Sequence, residues 1–459
     1  MNFKVGWQRR ASLLAGFVLG CFLISSGFIS AQAAEARPNI IVVLADDLGW
    51  GDLKSYGGKV PTPQLDAMAR EGTRFTQFYV ASPICSPSRA GLITGQFPGR
   101  WRINSYLQTR KGNRECEQAD FLTTNAPSLP RTLKAAGYAT AHIGKWHLGG
   151  GRDVTNAPKF AAYGYDLGYG TYESPEPHPD ITATNWIWSP RDKVKRWDRT
   201  RWMVDQTLEF LRAHPGQPCF VNLWLDDTHT PWIPSEEVQD DRAQRGDTRK
   251  NLRPVLVEMD RQIGRLLAGL RTTGAASNTL VLFLADNGPL PPFNQERTAG
   301  LRGSKLSLYE GGVREPLIAW WPGRVPAQRV ETNAVVSSLD FFPTFAKLAG
   351  AKVPAGIQLD GEDLSGALFG KSFMRTKPLL WEYGRNTNSF GYPGIANNRS
   401  PNVAVRDGKW KLLLNADRTG AELYDLLSDP NETRSVLQEN LDVAERLKRM
   451  ALDWRKSLP

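Results

Sequence analysis

The sequence predicts an α/β fold: a large, mixed, mostly parallel sheet sandwiched by helices, followed by a smaller C-terminal α+β subdomain. Short unbroken runs of apolar and β-branched residues indicate strands that are buried on both faces of a sheet. These runs alternate with segments of helical periodicity, which is the order of a doubly wound α/β sheet. From about Pro378 the pattern changes to short strands separated by turns, which indicates a second, smaller unit.

The first 33 residues have the features of a secretory signal, whereas the 459-residue chain as a whole has a globular composition, with 41% hydrophobic and 23% charged residues. A basic start precedes an apolar run over 11–29, and Ala31-Gln32-Ala33 offers a cleavage site. A lipoprotein box at Cys21, twin-arginine export and an uncleaved membrane anchor are the alternatives. We expect an exported protein, periplasmic or extracellular.

The net charge narrows the class of partner. Removal of the signal takes away three bases and no acid, so the formal net charge falls from +10 to +7; the bases are Lys4, Arg9 and Arg10. A basic exported protein often meets anionic partners. The sequence has no basic helix or nucleic-acid-binding motif, and a sulfated polymer fits the charge at least as well. No later segment is long and apolar enough to span a bilayer, so we expect no stable membrane association after cleavage.

The elements of the main domain, residues 34–377, follow in order. Predicted strands cover 39–44, 139–143, 219–225, 279–284 and 316–320. Predicted helices cover 62–72, 129–137, 203–212, 254–270 and 338–350. The first helix has Pro63 near its start and Gly72 at its end, where these residues are favoured. The fourth carries apolar residues at helical spacing, which indicates one buried face.

The C-terminal subdomain, residues 378–459, has a different pattern. Short strands are predicted at 379–383, 403–406 and 410–414, and a turn at Gly408 joins the last two. A final helix is predicted over 436–454.

The segment from Cys85 to Gly95 combines a cysteine with a predicted helix start. Pro87 suits the first turn of a helix, because its missing N–H would be unpaired there. Cys85 and Arg89, at i and i+4, then share one face, and the helix start favours an anion beside the cysteine. The alternative for a lone cysteine in this position is a small hydrophobe before a core helix.

Four predicted strands each end in polar residues, and the carboxyl ends of strands are where sites form in open α/β sheets. A single Asp after a strand is usually a cap or turn residue, but four such ends favour a common site. Three carboxylates and an amide make an all-oxygen cluster, which selects calcium or magnesium over zinc or copper. The strand ends carry Asp46 and Asp47, then Lys145 with His147, then Asp226 and Asp227 with His229, and finally Asp286 with Asn287.

Three strings resemble those of the type I sulfatases, which belong to the alkaline-phosphatase-like superfamily. The segment from Cys85 to Gly95 resembles the signature C-x-P-S-R followed by x-x-L-(L/I)-T-G. Residues 144–149, G-K-W-H-L-G, resemble the second signature, and Leu423-Tyr424-Asp425-Leu426 resembles the C-terminal pattern. The resemblance covers nearly the whole mature chain. It implies an exported hydrolase of sulfate esters, with sulfated carbohydrates as frequent substrates in the family.

The resemblance also implies the site. A maturation enzyme would oxidise Cys85 to formylglycine (3-oxoalanine), whose hydrate is the nucleophile. One calcium ion would be bound by modified Cys85 together with Asp46, Asp47, Asp286 and Asn287. Three further residues would carry positive charge: Arg89 would stabilise the hydrated aldehyde, and Lys145 and Lys305 would offset the charge of the sulfate. Two histidines would transfer protons: His229 would protonate the leaving oxygen, and His147 would act as a base.

Two other functions stay open at this point. One is a phosphodiester or phosphonate hydrolase on the same scaffold, and the other is a silent binder of sulfated glycans with unoxidised Cys85. Trp232 stands where a histidine is common in the family, close to the expected substrate position. A disulfide between Cys116 and Cys219 stays open, because the sequence cannot show whether the two cysteines pair. His142, His178 and His214 match no family position and are interpreted as structural or surface residues.

Residues 163–202 are dense in aromatic and basic residues, which suggests a wall that contacts the substrate. The rings would stack on sugars, and bases such as Lys193, Lys195 and Arg196 would pair with neighbouring sulfates or carboxylates. The alternative is that the rings pack the rim of the sheet beneath a solvated basic face. The aromatic residues are Tyr163, Tyr165, Tyr169, Tyr172, Trp186, Trp188, Trp197 and Trp202.

Overall fold

The computed structural model describes residues 37–237, 248–386 and 388–459. The predicted signal peptide, residues 1–33, lies outside the described residues. Within the described ranges, no helix combines the length and hydrophobicity needed to cross a membrane.

A nine-stranded sheet organises the larger part of the fold. Its order is β4-β3-β5-β1-β6-β7-β2-β8, with β9 beside β2. Neighbouring strands are parallel except at β7, which runs antiparallel to both β6 and β2. The strands are β1 (Asn39–Ala45), β2 (Thr73–Tyr79), β3 (Ala139–Gly144), β4 (Leu167–Gly170), β5 (Cys219–Leu225), β6 (Thr279–Ala285), β7 (Arg314–Trp320), β8 (Arg329–Glu331) and β9 (Val336–Ser337).

Helices cover both faces of this sheet, so that alternate side chains of each central strand enter two separate apolar clusters. Ile40 and Val42 of β1 lie in one cluster, and Ile41 and Val43 lie in the other. This is why the central strands are apolar at every position. The helices are α1 (Pro63–Glu71), α2 (Cys85–Thr94), α3 (Arg110–Glu115), α4 (Leu129–Ala135), α5 (Arg199–Ala213), α6 (Arg249–Thr272), α7 (Glu310–Val313), α8 (Phe341–Leu348) and α9 (Ser365–Leu368).

A four-stranded antiparallel sheet follows, in the order β10-β11-β12-β13, and the last helix packs on it. Ala444, Leu447 and Ala451 of that helix share an apolar cluster with strand residues such as Val405 and Leu412. The predicted change from a mostly parallel to an antiparallel arrangement is therefore confirmed. The elements are β10 (Leu379–Glu382), β11 (Val403–Asp407), β12 (Trp410–Leu414), β13 (Glu422–Asp425) and α10 (Leu441–Ser457).

A buried ionic cluster joins the two sheets. Lys411 of β12 is fully buried, and its Nζ lies 2.9 Å from Glu310 Oε1 and 3.0 Å from Glu432 Oε1. The backbone N–H of Glu310 donates to Glu432 Oε2 at 2.6 Å. Since Glu310 begins α7, five residues after Lys305, the C-terminal sheet supports the loop that carries this lysine.

Candidate active site

The sheet register brings the predicted polar strand ends to one level. Ala45, the last residue of β1, pairs with Leu225 of β5 on one side and with Ala285 of β6 on the other. Gly144, the last residue of β3, pairs with Trp224. The residues that follow these four strands therefore meet at one edge of the sheet.

Arg89 lies at the centre of this edge, on buried helix α2. Its Nε and Nη2 donate to Asp286 Oδ2 at 3.0 and 2.7 Å, and Nη2 lies 3.3 Å from Asp46 Oδ1. Its Nη1 donates to the carbonyl oxygen of Lys145 at 2.7 Å. One guanidinium thus fixes groups from three strand ends and is itself fully buried.

Two lysines complete the charge balance. Lys145 Nζ lies 2.6 Å from Asp46 Oδ2, and Lys305 Nζ donates to both Asp47 oxygens at 2.7 and 2.8 Å. Burial alone would lower the pKa of each lysine, but the paired carboxylates raise it above the ordinary value. Both lysines are therefore cationic at neutral pH, in a site whose groups are almost entirely removed from water.

Burial and the neighbouring charges also shift the pKa values of the carboxylates. Despite burial, Lys145, His229 and Arg89 hold the pKa of Asp46 well below its usual range. Burial and the neighbouring Asp46 raise the pKa of Asp286 to about 7. A further cation in the cluster would lower the pKa of Asp286, since a nearby positive charge favours the ionised form of a carboxyl group.

Cys85 is the first residue of α2 and is 2% exposed. Its Sγ and carboxylate oxygens of Asp46 and Asp47 lie within 4.8 Å of one another. Burial raises the pKa of the Cys85 thiol to about 11, so the residue is a protonated thiol at neutral pH. A buried thiol of this kind is a poor nucleophile, because the thiolate is the reactive form.

The oxygen-rich donor set fits a hard divalent cation. Asn287 Oδ1 is buried without a hydrogen-bond partner among the described residues, and Asp46 Oδ1 has an ion pair with Arg89 at 3.3 Å but no hydrogen bond. The amide of Asn287 instead donates from Nδ2 to Asp47 Oδ1 at 2.7 Å, which leaves its oxygen free. Unpaired buried oxygens are costly unless a ligand binds them, and oxygen donors of this type suit calcium or magnesium.

His229 lies at the more open side of the cluster, with 20% of its side chain exposed. Its Nδ1–H donates to the carbonyl oxygen of Thr230 at 2.6 Å, so Nε2 is the nitrogen that faces the site. Nε2 lies 3.7 Å from Asp47 Oδ2. Burial and Lys145 lower the pKa of His229, which makes its protonated form a stronger acid.

In His147 the other ring nitrogen, Nε2, is the one that is bound to neighbouring residues. Its Nε2–H donates to the carbonyl oxygen of Leu107 at 3.0 Å and lies 3.3 Å from Glu173 Oε2. Its Nδ1 is buried and has no partner within the described chain. Nδ1 is therefore the nitrogen that is free to accept a proton, although burial lowers the pKa of the ring to about 3.

Glu173 was not predicted from the sequence. Its carboxylate faces His147 Nε2, and its backbone oxygen accepts from the His147 N–H at 2.9 Å. Arg152 Nη2 holds the other carboxylate oxygen at 2.8 Å. Glu173 lies in irregular chain 26 residues from His147, where no periodic pattern could reveal the pair.

The bases of residues 163–202 do not all face solvent. Arg196 and Arg199 are buried, and both bind Asp226 Oδ2, at 2.7 and 2.6 Å. Arg196 also donates to the carbonyl oxygens of Asp226, His229 and Pro231. These bonds use its donors inside the protein to hold the loop that carries His229. The side chain also lines the cavity at the site, so its contact with a substrate stays a prediction.

The structure also shows where four other residues singled out from the sequence lie. Trp232 is fully buried and donates from Nε1 to the carbonyl oxygen of Thr228 at 3.0 Å, so it supports this loop and does not line the site. Cys116 and Cys219 are separate free thiols. His142 is fully buried among aromatic rings, as expected for a structural residue; the rings are Trp146, Phe160, Tyr165 and Trp224.

A small cavity of about 10 Å³ opens at the cluster. Asp46, Lys145 and His229 line it, together with Arg196, Tyr172 and Ile187. A cavity of this size holds about one water molecule. It is therefore too small for a sugar ring, and the rings of a larger ligand lie outside it.

Comparisons with known proteins agree with this arrangement. The sulfatase family profile matches residues 38–351, and that of the C-terminal region of N-sulphoglucosamine sulphohydrolase matches residues 304–456. The N-acetylgalactosamine-6-sulfatase of Canis lupus familiaris is 34% identical over 79% of this chain and 72% of its own length. Arylsulfatase A of Bos taurus is 32% identical over 90% of this chain and 86% of its own length.

Solved structures show the same fold. The crystal structure of Ps i-CgsB in complex with k-i-k-neocarrahexaose superposes with a TM-score of 0.73 at 26% identity, over 91% of this chain and 92% of the other. The family match, the relatives and the shared fold lead to one conclusion. The chain belongs to the sulfatase family, the sulfuric ester hydrolases of the alkaline-phosphatase-like superfamily.

Proposed function

We propose that the protein is an exported sulfatase that removes sulfate esters from carbohydrates, with a formylglycine made from Cys85 and a bound calcium ion. The observation that carries the proposal is the position of Cys85 at the start of α2, beside Asp46 and Asp47 and among buried lysine, arginine and histidine side chains. Burial raises the pKa of the unmodified thiol and so disfavours its reactive thiolate, which favours a modified residue as the nucleophile.

The charges suit a sulfate ester, which is an anion. Asp46, Asp47, Asp286 and the Asn287 oxygen would hold the calcium ion, which would supply positive charge beside the nucleophile. Lys145 and Lys305 neutralise Asp46 and Asp47 in this structure. With a dication held by these carboxylates, the two ammonium groups would become available to sulfate oxygens.

The hydrated aldehyde of formylglycine supplies a hydroxyl nucleophile that a thiol at this position does not. Arg89, fixed by Asp286, holds positive charge on the same helix as residue 85. His229 is the proton donor for the leaving sugar oxygen, through Nε2, because Nδ1 is committed to Thr230. His147 is the base that recovers the aldehyde, through Nδ1, because Nε2 is committed to Leu107 and Glu173.

The substrate class is inferred from the relatives. One relative is named for a sulfated amino sugar, and the superposed structure holds a neocarrahexaose. The basic start and apolar run of residues 1–33 support export, as does a net positive charge that suits an anionic polymer. Sulfated carbohydrates outside the cytoplasm meet both conditions.

Mass spectrometry of the Cys85 peptide tests the proposal. Active protein should carry an aldehyde at position 85, with a peptide mass below that of cysteine. Cys85→Ala should reduce hydrolysis of 4-nitrophenyl sulfate to background and leave the melting temperature nearly unchanged. Cys219→Ala is the matched control, since this buried thiol lies at the start of β5, at the far end of the strand from the site. Unmodified cysteine in fully active protein would overturn the proposal.

A further inference from the structure

Trp186 differs from the other aromatic residues of the chain. Among the Phe, Tyr and Trp side chains that the structure describes, it alone is exposed, with 53% of its surface accessible. Single exposed apolar residues are common and by themselves indicate nothing. The position of this one is what distinguishes it.

Trp186 lies next to the lining of the catalytic cavity. The next residue, Ile187, lines the cavity together with Tyr172. The Trp186 and Tyr172 ring centroids are 6.4 Å apart, so the exposed ring extends from the cavity lining towards solvent. His229 lines the same cavity, and in the proposed mechanism it protonates the oxygen of the leaving sugar.

The loop that carries Trp186 is held by a buried ion pair. Asp192 Oδ1 accepts from the Ala183 N–H at 2.7 Å, and Oδ2 accepts from the Ser189 N–H at 3.0 Å. Arg199 Nη2 binds the same carboxylate at 2.9 Å, and both side chains are almost fully buried. The backbone on both sides of Trp186 is therefore fixed, and a fixed platform loses little entropy when a ligand binds.

We propose that Trp186 is the stacking platform for the sugar next to the sulfated one. The groups proposed to bind the sulfate line the cavity, whereas Trp186 lies outside this lining, so the ring that it contacts is the neighbour of the sulfated sugar. Sugar rings present apolar C–H faces that pack against indole. The inference rests on the proposed sulfatase function and adds a preference for substrates longer than a monosaccharide.

The test compares substrates of two lengths with the full-length protein. Sulfated tetrasaccharides from chondroitin, heparin and carrageenan are offered beside their terminal sulfated monosaccharides and 4-nitrophenyl sulfate. For the best tetrasaccharide, Trp186→Ala should lower kcat/KM about tenfold, the effect of one lost stacking contact. The two small substrates should change by less than about twofold. Trp186→Phe should restore most of the loss, and Leu427→Ala, an exposed residue of the C-terminal subdomain, is the control.

Each result decides between the two proposals. Equal losses on all substrates, no loss on the tetrasaccharide, or a parent enzyme with no preference for the tetrasaccharide would overturn the platform. If the parent hydrolyses 4-nitrophenyl sulfate but none of the oligosaccharides, the platform fails and sulfate ester hydrolysis stands. If the parent hydrolyses no sulfate ester at all, the proposed function itself fails.

Discussion

Arg196 should act as a support for the catalytic loop and not as a contact for the substrate. The guanidinium is buried, and it binds Asp226 Oδ2 at 2.7 Å and three carbonyl oxygens of residues 226–231. Arg196→Ala removes all four contacts and leaves Asp226 with Arg199 as its remaining cationic partner. The loop that positions His229 then loses most of its attachment to residues 195–199.

The size of the effect follows from the burial. Removal of one partner from a buried ion pair costs about 3–5 kcal/mol, and the surviving Arg199 places this change near the lower limit. A loss of about 3 kcal/mol lowers Tm by roughly 3 °C in a protein of this size. Displacement of a catalytic group by about 1 Å costs about 100-fold in rate, so kcat should fall by that order.

Thermal unfolding and steady-state kinetics check this prediction together. In the proposed mechanism a sulfated tetrasaccharide and its terminal monosaccharide both release an alkoxide that needs the His229 proton, so both should lose activity alike. The control is Arg434→Ala, since Arg434 is exposed and pairs with Glu439 at the surface of the C-terminal subdomain, where such pairs contribute little. An unchanged Tm with a loss confined to the tetrasaccharide would refute the reasoning and return Arg196 to the substrate surface.

Three further outcomes are expected. Chelation should lower Tm and activity together, because a ligand bound only to the native state stabilises it, and Asp286→Ala should remove most of that response in calorimetry. Burial lowers the pKa of His142 from 6.5 to about 3. The free energy of unfolding that depends on a neutral His142 is therefore fully present above about pH 6.5 and is lost as the pH falls towards 3. His142→Phe should therefore reduce the acid-side slope of unfolding free energy against pH by about 1.4 kcal/mol per pH unit, whereas an unchanged slope would contradict this assignment. Glu173→Gln should weaken His147 as a base and lower kcat about tenfold at unchanged KM; a raised KM alone would contradict it.

The central sheet could be predicted because its strands are buried on both faces and therefore apolar throughout. β1, β3, β5 and β6 were each predicted to within one residue of their observed ends. β2 was not predicted, because Arg74 and Gln77 interrupt its apolar pattern. Arg74 is partly buried, and both polar side chains find hydrogen-bond partners across the chain, which no local pattern reveals.

The same distinction applies to the site. Asp46, Asp286 and their neighbours were found because they follow strand ends, where parallel strands bring distant residues to one edge. The burial of Arg196 and Arg199 was not predicted, since burial of a cation depends on a carboxylate elsewhere in the chain. That partner, Asp226, was itself expected only as a polar strand end. Pairing between distant charges is a property of the fold, and local sequence carries no signal for it.

The buried Lys411 cluster has a consequence for the timing of synthesis. The loop that carries Lys305 gains its last support, from Glu432 to Glu310, only after residue 432 has been made. Residues 85 and 432 are 347 positions apart, which corresponds to roughly 20–70 s at about 5–20 residues per second. During that interval the site is incomplete, whereas in the finished fold Cys85 is 2% exposed. If Cys85 is oxidised to formylglycine as proposed, the enzyme that does so would have its best access to a growing or newly released chain, and little access to the mature protein.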